Sequence, residues 1–210
     1  MERWILKGNK ENSLDIEKLN ITKTTAILLS KRGIVTNEEA EHFLNIDYDD
    51  LETPLKMRDM IIAGNIVLSA KSSGKNIAIV GDYDVDGVMS TVILLRGLQT
   101  LGMNPIYRIP AREEGYGINN NIVDELKEKD VSLIITCDNG IAANDSVKYA
   151  KSMGMDVIVT DHHEVPKIDG KDSIPAADAV LNPKRSDCDY PFKELCGAGV
   201  AFKLISYLYK

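Results

Sequence analysis

From residue 76 onward, short apolar runs rich in β-branched residues alternate with longer stretches of helical periodicity. This alternation limits the fold strongly, because strands separated by helices of roughly 10 to 15 residues form crossover units and a mostly parallel sheet. The apolar runs lie at 77–80, 105–109, 131–136, 157–160 and 179–181, and the helical patterns at 88–101, 119–129 and 145–153. We therefore predict a doubly wound α/β fold with a mostly parallel sheet of about five strands and helices on both faces.

The first 75 residues lack strand-like runs and carry three helical patterns instead. One covers 22–31, a second begins at Thr36 with acidic residues in its first turn, and a third ends near Gly74. The change of pattern predicts a small helical N-terminal region at 1–75 and an α/β domain at 76–210. The last helical pattern starts near Gly197 and meets neither a capping glycine nor a polar tail, so we expect a domain truncated at its C-terminal end.

Composition excludes several classes of protein. The net charge of −7 argues against a basic arm or tail as the main device for binding nucleic acid. The apolar stretches are far shorter than the roughly 20 residues that cross a bilayer, so we expect no membrane partner. Three cysteines without CxxC spacing predict free thiols. The N-terminus carries no export signal, which predicts a cytoplasmic protein.

Carboxylates and imidazoles are concentrated in the loops that follow three of the predicted strands. These loops contain Gly81-Asp82-Tyr83-Asp84-Val85-Asp86-Gly87, Cys137-Asp138-Asn139-Gly140 and Asp161-His162-His163-Glu164. Alternate side chains of an extended segment share a face, so we expect Asp82, Asp84 and Asp86 to point the same way. A divalent cation would offset the repulsion among them.

Two further side chains, Asp138 and His162, can complete this site from the neighbouring strand ends. Oxygen ligands together with imidazole favour Mn²⁺ or Mg²⁺ over metals that prefer thiolates. Two such ions about 3.5 to 4 Å apart would need a shared carboxylate, and Asp138 is the candidate for that bridge.

Each loop also has an ordinary structural interpretation. The first resembles the start of a calcium loop, but Ile93 stands where the twelfth-position glutamate is required. The segment 138–140 alone suits a turn as well as a site, and the pair His162-His163 alone suits a solvated turn. Their joint placement at three predicted strand ends favours the metal site.

Five motifs of the chain occur together in the order found in a known family. They are Gly81–Gly87, Glu114–Asn119, Cys137–Gly140, Thr160–His163 and Gly197–Lys203. In sequence and spacing they resemble the DHH phosphoesterase superfamily and, within it, the RecJ single-stranded-DNA exonucleases. The resemblance implies a 5′-to-3′ exonuclease of DNA repair and recombination that hydrolyses phosphodiester bonds with two ions of Mn²⁺ or Mg²⁺.

The resemblance also implies roles for single residues. The metal ligands it implies are four side chains, Asp84, Asp86, Asp138 and His162, with Asp82 as a candidate fifth. His163 matches the residue that faces the scissile phosphate, and Arg112 matches a position that holds substrate phosphate. A surface ion pair with Glu113 or Glu114 is an equally open interpretation of Arg112. The backbone N–H groups of 197–199 suit either a phosphate or close helix packing.

By the same resemblance the partners are single-stranded DNA, a single-strand-binding protein and a helicase. Lys184-Arg185 is a candidate basic patch for steering DNA. Three other interpretations stay open: a DHH phosphodiesterase acting on short oligonucleotides or cyclic dinucleotides, a manganese pyrophosphatase, and a catalytically inactive DHH replication scaffold. In the family a further aspartate, beyond the helix that begins at Gly197, completes the metal cluster. We therefore expect these 210 residues to be an N-terminal fragment that is weakly active or inactive alone.

Overall fold

The computed structural model describes residues 13–210, which divide into two compact units, one ending at Leu51 and the other spanning Glu52–Lys210. The first unit contains helices α1 (Lys23–Lys31) and α2 (Asn37–Leu44) and a 3₁₀ turn at Tyr48–Asp50. Thr36 and Glu39 form a reciprocal capping box at the start of α2, which confirms the predicted helix start. A small apolar core holds this unit together and consists of Leu14, Ala26, Leu29 and Ala40.

The second unit alternates strands with helices as the apolar pattern predicts. In chain order its elements are α3 (Met60–Ser72), β1 (Asn76–Val80), α4 (Val85–Thr100), β2 (Ile106–Arg108), α5 (Asn120–Glu128), β3 (Val131–Cys137), α6 (Asn144–Ser152), β4 (Asp156–Thr160), β5 (Lys167–Ile168), β6 (Lys171–Asp172), β7 (Ala179–Leu181) and α7 (Gly197–Leu208). Short 3₁₀ turns lie at Pro54–Lys56 and Arg112–Glu114.

The main sheet has five parallel strands in the order β2-β1-β3-β4-β7. This confirms the predicted fold class. The chain moves from β1 outward to β2 and then returns to β3 on the other side of β1, so the winding direction reverses between β1 and β3. In open parallel sheets, ligands bind beyond the carboxyl ends of the strands at such a reversal. Strands β5 and β6 form a separate antiparallel hairpin that the sequence analysis did not predict.

Helices cover both faces of the sheet because its strands are apolar on both sides. On one face Ile77 and Ile79 of β1 pack in a core with α3, α4 and α7. On the other face Ala78 and Val80 pack in a core with α5 and α6. Alternate residues of one strand therefore supply opposite cores, and the strand ends are held rigidly where the polar loops begin.

Helix α3 packs against α7 and β7 in the unit that begins at Glu52, although its sequence pattern lies in the predicted N-terminal region. The division of the chain at residue 75 stays a prediction about sequence domains, which need not coincide with compact units. Within residues 13–210, helices of the length and apolarity needed to span a bilayer are absent.

Candidate metal centre

Three adjacent strands of the sheet deliver the acidic and imidazole side chains to one edge. Asp82 and Asp84 follow β1, Asp138 follows β3, and His162 and His163 follow β4. Because these strands are parallel and neighbouring, their carboxyl ends meet at the same place. The structure thus brings together the loops that the sequence analysis singled out.

Two triads of ligand atoms form at this edge. One oxygen each from Asp82, Asp84 and Asp138 lie within 4.8 Å of one another, and one ligand atom each from Asp138, His162 and His163 satisfy the same limit. Asp138 belongs to both triads. The bridging role predicted for Asp138 stays a prediction, and its membership in both triads is the observation that bears on it.

Buried carboxylate oxygens that form no hydrogen bond indicate whether these residues suit a cation. Asp82 and Asp138 are each only 1% exposed, and within residues 13–210 the Oδ1 atom of each forms no hydrogen bond, although His162 Nε2 lies 3.1 Å from that of Asp138. An anionic oxygen that is buried without a donor or counter-charge is strongly unfavourable. A divalent cation would satisfy both oxygens at once, so the donor set suits one.

The electrostatics of Asp138 point the same way. Burial, together with the nearby Asp86 and Asp84 carboxylates, raises the pKa of Asp138 from 3.8 to about 7. Its backbone is in the left-handed region, with φ of 61°, which places the side chain at the mouth of the strand. Metal ligation requires the ionised carboxylate, so cation binding and deprotonation are coupled at this residue.

The segment 82–86 is not extended throughout, so strand-like alternation is not what aligns its three acidic residues, although all three carboxylates lie at the site. Helix α4 begins at Val85, and Asp84 caps it by accepting a hydrogen bond from the Gly87 amide at 3.0 Å. Asp86 consequently lies in the first helical turn, and its carboxylate faces the start of α7. Helix capping by Asp84 overrides the strand-like alternation because the capped turn satisfies amides that would otherwise be unpaired.

Asp86 is held by the N-terminus of α7. Its Oδ2 accepts from the Gly197 amide at 2.7 Å, and its Oδ1 accepts from the Ala198 amide at 2.8 Å. His162 Nε2 lies 3.5 Å from Asp86 Oδ2 and 3.1 Å from Asp138 Oδ1. The amides of 197 and 198 therefore bind a carboxylate of the site itself, which supports the packing interpretation of these residues over phosphate binding.

His163 is oriented by a buried acid that the sequence analysis left without a role. Asp161 is 1% exposed, and its Oδ1 lies 2.8 Å from His163 Nδ1. The hydrogen bond to Asp161, against the effect of burial, raises the pKa of His163. Burial opposes ionisation of Asp161, yet hydrogen bonds from His163 and from the Ile141 amide hold its pKa below the usual range. The position of Asp161 directly before the two histidines was the sequence signal that could have predicted this contact.

Arg112 does not form an ion pair with Glu113 or Glu114, which was one of its two predicted roles. Its guanidinium lies over the ring of Tyr83, 5.0 Å from the centroid, a cation–π distance. Glu114 pairs instead with Arg108, which also contacts Glu125 at 2.9 Å. Arg112 is exposed, so its guanidinium donors remain accessible to a ligand.

The predicted steering patch at Lys184-Arg185 is wrong. Arg185 is 6% exposed and pairs with Asp59 at 2.6 Å and Asp187 at 2.8 Å. Lys184 pairs with Glu164 at 2.9 Å. Both positive charges are therefore neutralised within the fold, and neither forms an accessible basic patch.

Comparison with known proteins assigns the family. The model of the N-terminal domain of the DHH family matches residues 76–210. The chain belongs to the DHH family. Over 205 residues, which are 96% of this chain and 25% of the relative, it is 47% identical to the single-stranded-DNA-specific exonuclease RecJ of Bacillus subtilis (strain 168). The predicted resemblance is thereby confirmed.

Solved structures of DHH relatives agree with this assignment. A crystal structure of RecJ from Thermus thermophilus in complex with Mn²⁺ matches with a TM-score of 0.67 and 30% identity, over 92% of this chain and 26% of that one. A crystal structure of exonuclease RecJ bound to manganese matches with a TM-score of 0.66 and 34% identity, over 76% of this chain and 39% of that one. The DHH chain spans about a quarter of the length of the curated relatives it matches.

Two further residues organise the DHH site, although the sequence analysis gave them no role. The Asn139 amide group donates to the carbonyls of Val80 at 3.0 Å and Cys137 at 2.9 Å, which ties the ends of β1 and β3 together. Tyr116 donates from its hydroxyl to the Asp138 carbonyl at 2.5 Å. Both lie in the motifs that carry the family resemblance, but only their spatial contacts reveal these functions.

A cleft of about 480 Å³ opens beside His163. Its walls come from the loops after β3 and β4, the first turn of α6 and residues 116–118, and they include Tyr116, Ile118, Ile141, Ser146 and Glu164. The volume is within the range of small-molecule binding sites, which is roughly 300 to 1,000 Å³. A substrate in this cleft would lie against His163 at the edge of the metal centre.

Proposed function

We propose that this chain carries the metal centre of an exonuclease that hydrolyses single-stranded DNA in the 5′-to-3′ direction. The observation that carries the proposal is the pair of buried carboxylate oxygens, on Asp82 and Asp138, that form no hydrogen bond within residues 13–210. They lie at the strand ends of a DHH domain, and the relative that is 47% identical is a single-stranded-DNA-specific exonuclease.

The residues that would hold two ions of Mn²⁺ or Mg²⁺ are Asp82, Asp84, Asp86, Asp138 and His162, with Asp138 between the ions. When bound, divalent cations supply Lewis acidity at phosphoryl oxygens and offset the negative charge of the phosphodiester. The structures of RecJ relatives bound to manganese support the choice of Mn²⁺. Two backbone amides at the start of α7 hold the Asp86 carboxylate, so the orientation in which Asp86 would bind a cation is set by that helix.

His163 and Arg112 would act on the substrate phosphate. Because Asp161 engages Nδ1 of His163, Nε2 is the ring nitrogen left to face the cleft, and the side chain is 48% exposed. The raised pKa of His163 favours the protonated ring, so Nε2 can donate a hydrogen bond to a phosphoryl oxygen as charge develops there. The guanidinium of Arg112 can donate two parallel hydrogen bonds to phosphate oxygens.

The wider setting is proposed from the same likeness. We place the activity in DNA repair and recombination in the cytoplasm, with single-stranded DNA as substrate and a single-strand-binding protein and a helicase as partners. This chain spans about a quarter of its Bacillus subtilis relative. We therefore propose that these 210 residues alone hold metal weakly and cleave slowly or not at all.

A segment swap tests the function. In the Bacillus subtilis relative, the segment that matches this chain is replaced by this chain, and the chimera receives 5′-labelled single strands, duplexes, dinucleotides or pyrophosphate with Mn²⁺. We expect rapid digestion of single strands only, and slower or no digestion by the 210-residue chain. Turnover of dinucleotides or pyrophosphate alone would identify one of the other DHH activities, and a folded but inactive chimera would favour the scaffold interpretation.

Three variants of the chimera test the residue roles. Asp138→Ala should abolish both Mn²⁺ binding and cleavage, because both triads lose a ligand. His163→Ala should keep Mn²⁺ binding and lose rate, by about 10² to 10³ if it contributes one hydrogen bond to developing charge. Asp169→Ala, in the exposed β5–β6 turn, is the control and should change neither. Loss of Mn²⁺ binding by His163→Ala with retention by Asp138→Ala would overturn the assigned roles.

A further inference from the structure

The first residue of α7 leaves no room for a side chain beside the metal centre. A Cβ atom on Gly197 would lie 2.5 Å from Asp138 Oδ1, 2.7 Å from its Cβ and 2.8 Å from its Cγ. These separations are far inside van der Waals contact, which is near 3.5 to 4 Å for carbon atoms. Gly197 therefore forms the wall against which the Asp138 carboxylate packs.

Helix α7 cannot easily withdraw from this contact, because two other close approaches fix it along its length. Ile205 packs on Gly97 of α4 so closely that a Cβ there would lie 2.5 Å from its Cδ1. Tyr209 donates from its hydroxyl to the Gly97 carbonyl at 2.9 Å. The ring of Tyr207 lies on Gly64 of α3. A group added at 197 would consequently displace Asp138 before it displaced the helix.

The same helix end fixes a second acid of the site. The amides of Gly197 and Ala198 donate to the two oxygens of Asp86 at 2.7 and 2.8 Å, so the orientation of that carboxylate follows α7. Two acidic residues, Asp138 after β3 and Asp86 in the first turn of α4, thus take their positions from one helix terminus.

We propose that Gly197 is a positioning residue of the metal centre, where the absence of a side chain sets the placement of the Asp138 carboxylate against α7. This inference rests on the proposed function only in that the ligand is a divalent cation. The backbone of Gly197 is not left-handed, and alanine has a higher helix propensity than glycine, so neither backbone strain nor helix propensity would explain a loss in an alanine variant.

The test compares Gly197→Ala with Gly199→Ala in the 210-residue chain. A Cβ on Gly199 would lie 3.1 Å from the flexible end of Leu195 and at ordinary contact distance, 3.5 and 3.8 Å, from Leu195 Cβ and Cys196 Sγ. Calorimetric titration with Mn²⁺ should give about 10-fold to 100-fold weaker binding for Gly197→Ala and unchanged binding for Gly199→Ala. In metal-free ¹H–¹⁵N spectra, the Asp138 and Asn139 amide signals should move in Gly197→Ala and stay in place in Gly199→Ala.

A further variant keeps the proposal testable if Gly197→Ala does not fold. Asp138→Gly removes the three atoms that would clash, and glycine suits the left-handed backbone at that position. Combining it with Gly197→Ala should restore folding, and failure to restore it would overturn the proposal.

The remaining outcomes separate this inference from the proposed function. If neither the unmodified chain nor the chimera binds Mn²⁺, the proposed function fails, while the metal-free amide shifts still report whether Gly197 positions Asp138. Binding of Mn²⁺ by Gly197→Ala as tight as that of the parent, with unmoved Asp138 signals, would overturn the role assigned to Gly197.

Discussion

Replacement of Asp138 by asparagine should stabilise the metal-free protein while it abolishes metal binding. The side chain is buried at the centre of both ligand triads, and its Oδ1 forms no hydrogen bond within residues 13–210. Asparagine has nearly the same shape, carries no charge and tolerates the left-handed backbone at this position. Its amide group can also donate to the neighbouring carboxylates.

The expected gain follows from the electrostatics of the site. Burial and the carboxylates of Asp86 and Asp84 raise the pKa of Asp138 from 3.8 to about 7. The two pKa values differ by about 3 units. At 1.36 kcal/mol per unit, ionisation of Asp138 lowers the free energy of unfolding by about 4 kcal/mol. Relaxation of the neighbouring groups reduces this cost, so we expect asparagine to add about 2 kcal/mol to the free energy of unfolding.

The sign of the pH dependence is fixed by the direction of the pKa change. In the unfolded chain Asp138 ionises near its usual pKa, so the penalty is absent below about pH 4 and complete above about pH 7. The advantage of Asp138→Asn over the parent should therefore be larger at about pH 8 than at about pH 5.

Urea unfolding followed by circular dichroism, first with a chelator and then with Mn²⁺, measures both effects. Asp169→Asn is the matched control, because it removes the same charge at a left-handed, exposed turn and should change stability by less than about 0.5 kcal/mol. Mn²⁺ should raise the unfolding midpoint of the parent and of the control, but not that of Asp138→Asn. A metal-free Asp138→Asn less stable than the parent at alkaline pH, and still stabilised by Mn²⁺, would refute the reasoning.

Two further predictions concern single contacts. Asp161→Asn should lower the pKa of His163, measured by NMR titration of the metal-free ring, because it weakens the hydrogen bond that raises this pKa; an unchanged titration would exclude that cause. Arg185→Met should lower the free energy of unfolding by about 1.5 to 3 kcal/mol in urea, since the buried Arg185 guanidinium pairs with Asp59 at 2.6 Å and with Asp187 at 2.8 Å, whereas Arg58→Met, at an exposed side chain 3.5 Å from the same Asp59, should cost at most about 1 kcal/mol. Equal costs for the two arginine variants would contradict the burial argument.

The fold was predictable because its strands and helices have strong local signals. Runs such as Ile77–Val80 are β-branched, short and bounded by polar loops, and parallel sheets place the ends of such runs together. The convergence of the candidate ligands was predictable for the same reason, since Asp82, Asp138 and His162 each follow a strand closely. Local pattern and tertiary position agree at these residues.

The remaining features depend on contacts between residues far apart in the chain. Asp86 meets Gly197 over 111 positions of sequence, and no local pattern announces that pairing. Arg185 is of a residue type usually found at the surface, but it is buried here and pairs with Asp59, 126 positions away, in a partly buried contact. Asp84 is different, because its conformation depends on a local contact. It caps helix α4, although the spacing of the acidic residues at 82–86 looks like that of a strand. Side-chain partners at long range are set by packing, which single-sequence patterns do not contain.

The central claim is that the ends of β1, β3 and β4 form a divalent-cation site. Anomalous scattering at the manganese edge from crystals soaked in Mn²⁺ tests it most directly. We predict a peak within coordinating distance of Asp138 and His162, with Asp82 and Asp84 turned towards it. Absence of a peak there, with manganese bound at another acidic cluster such as Asp59 and Asp187, would contradict the account.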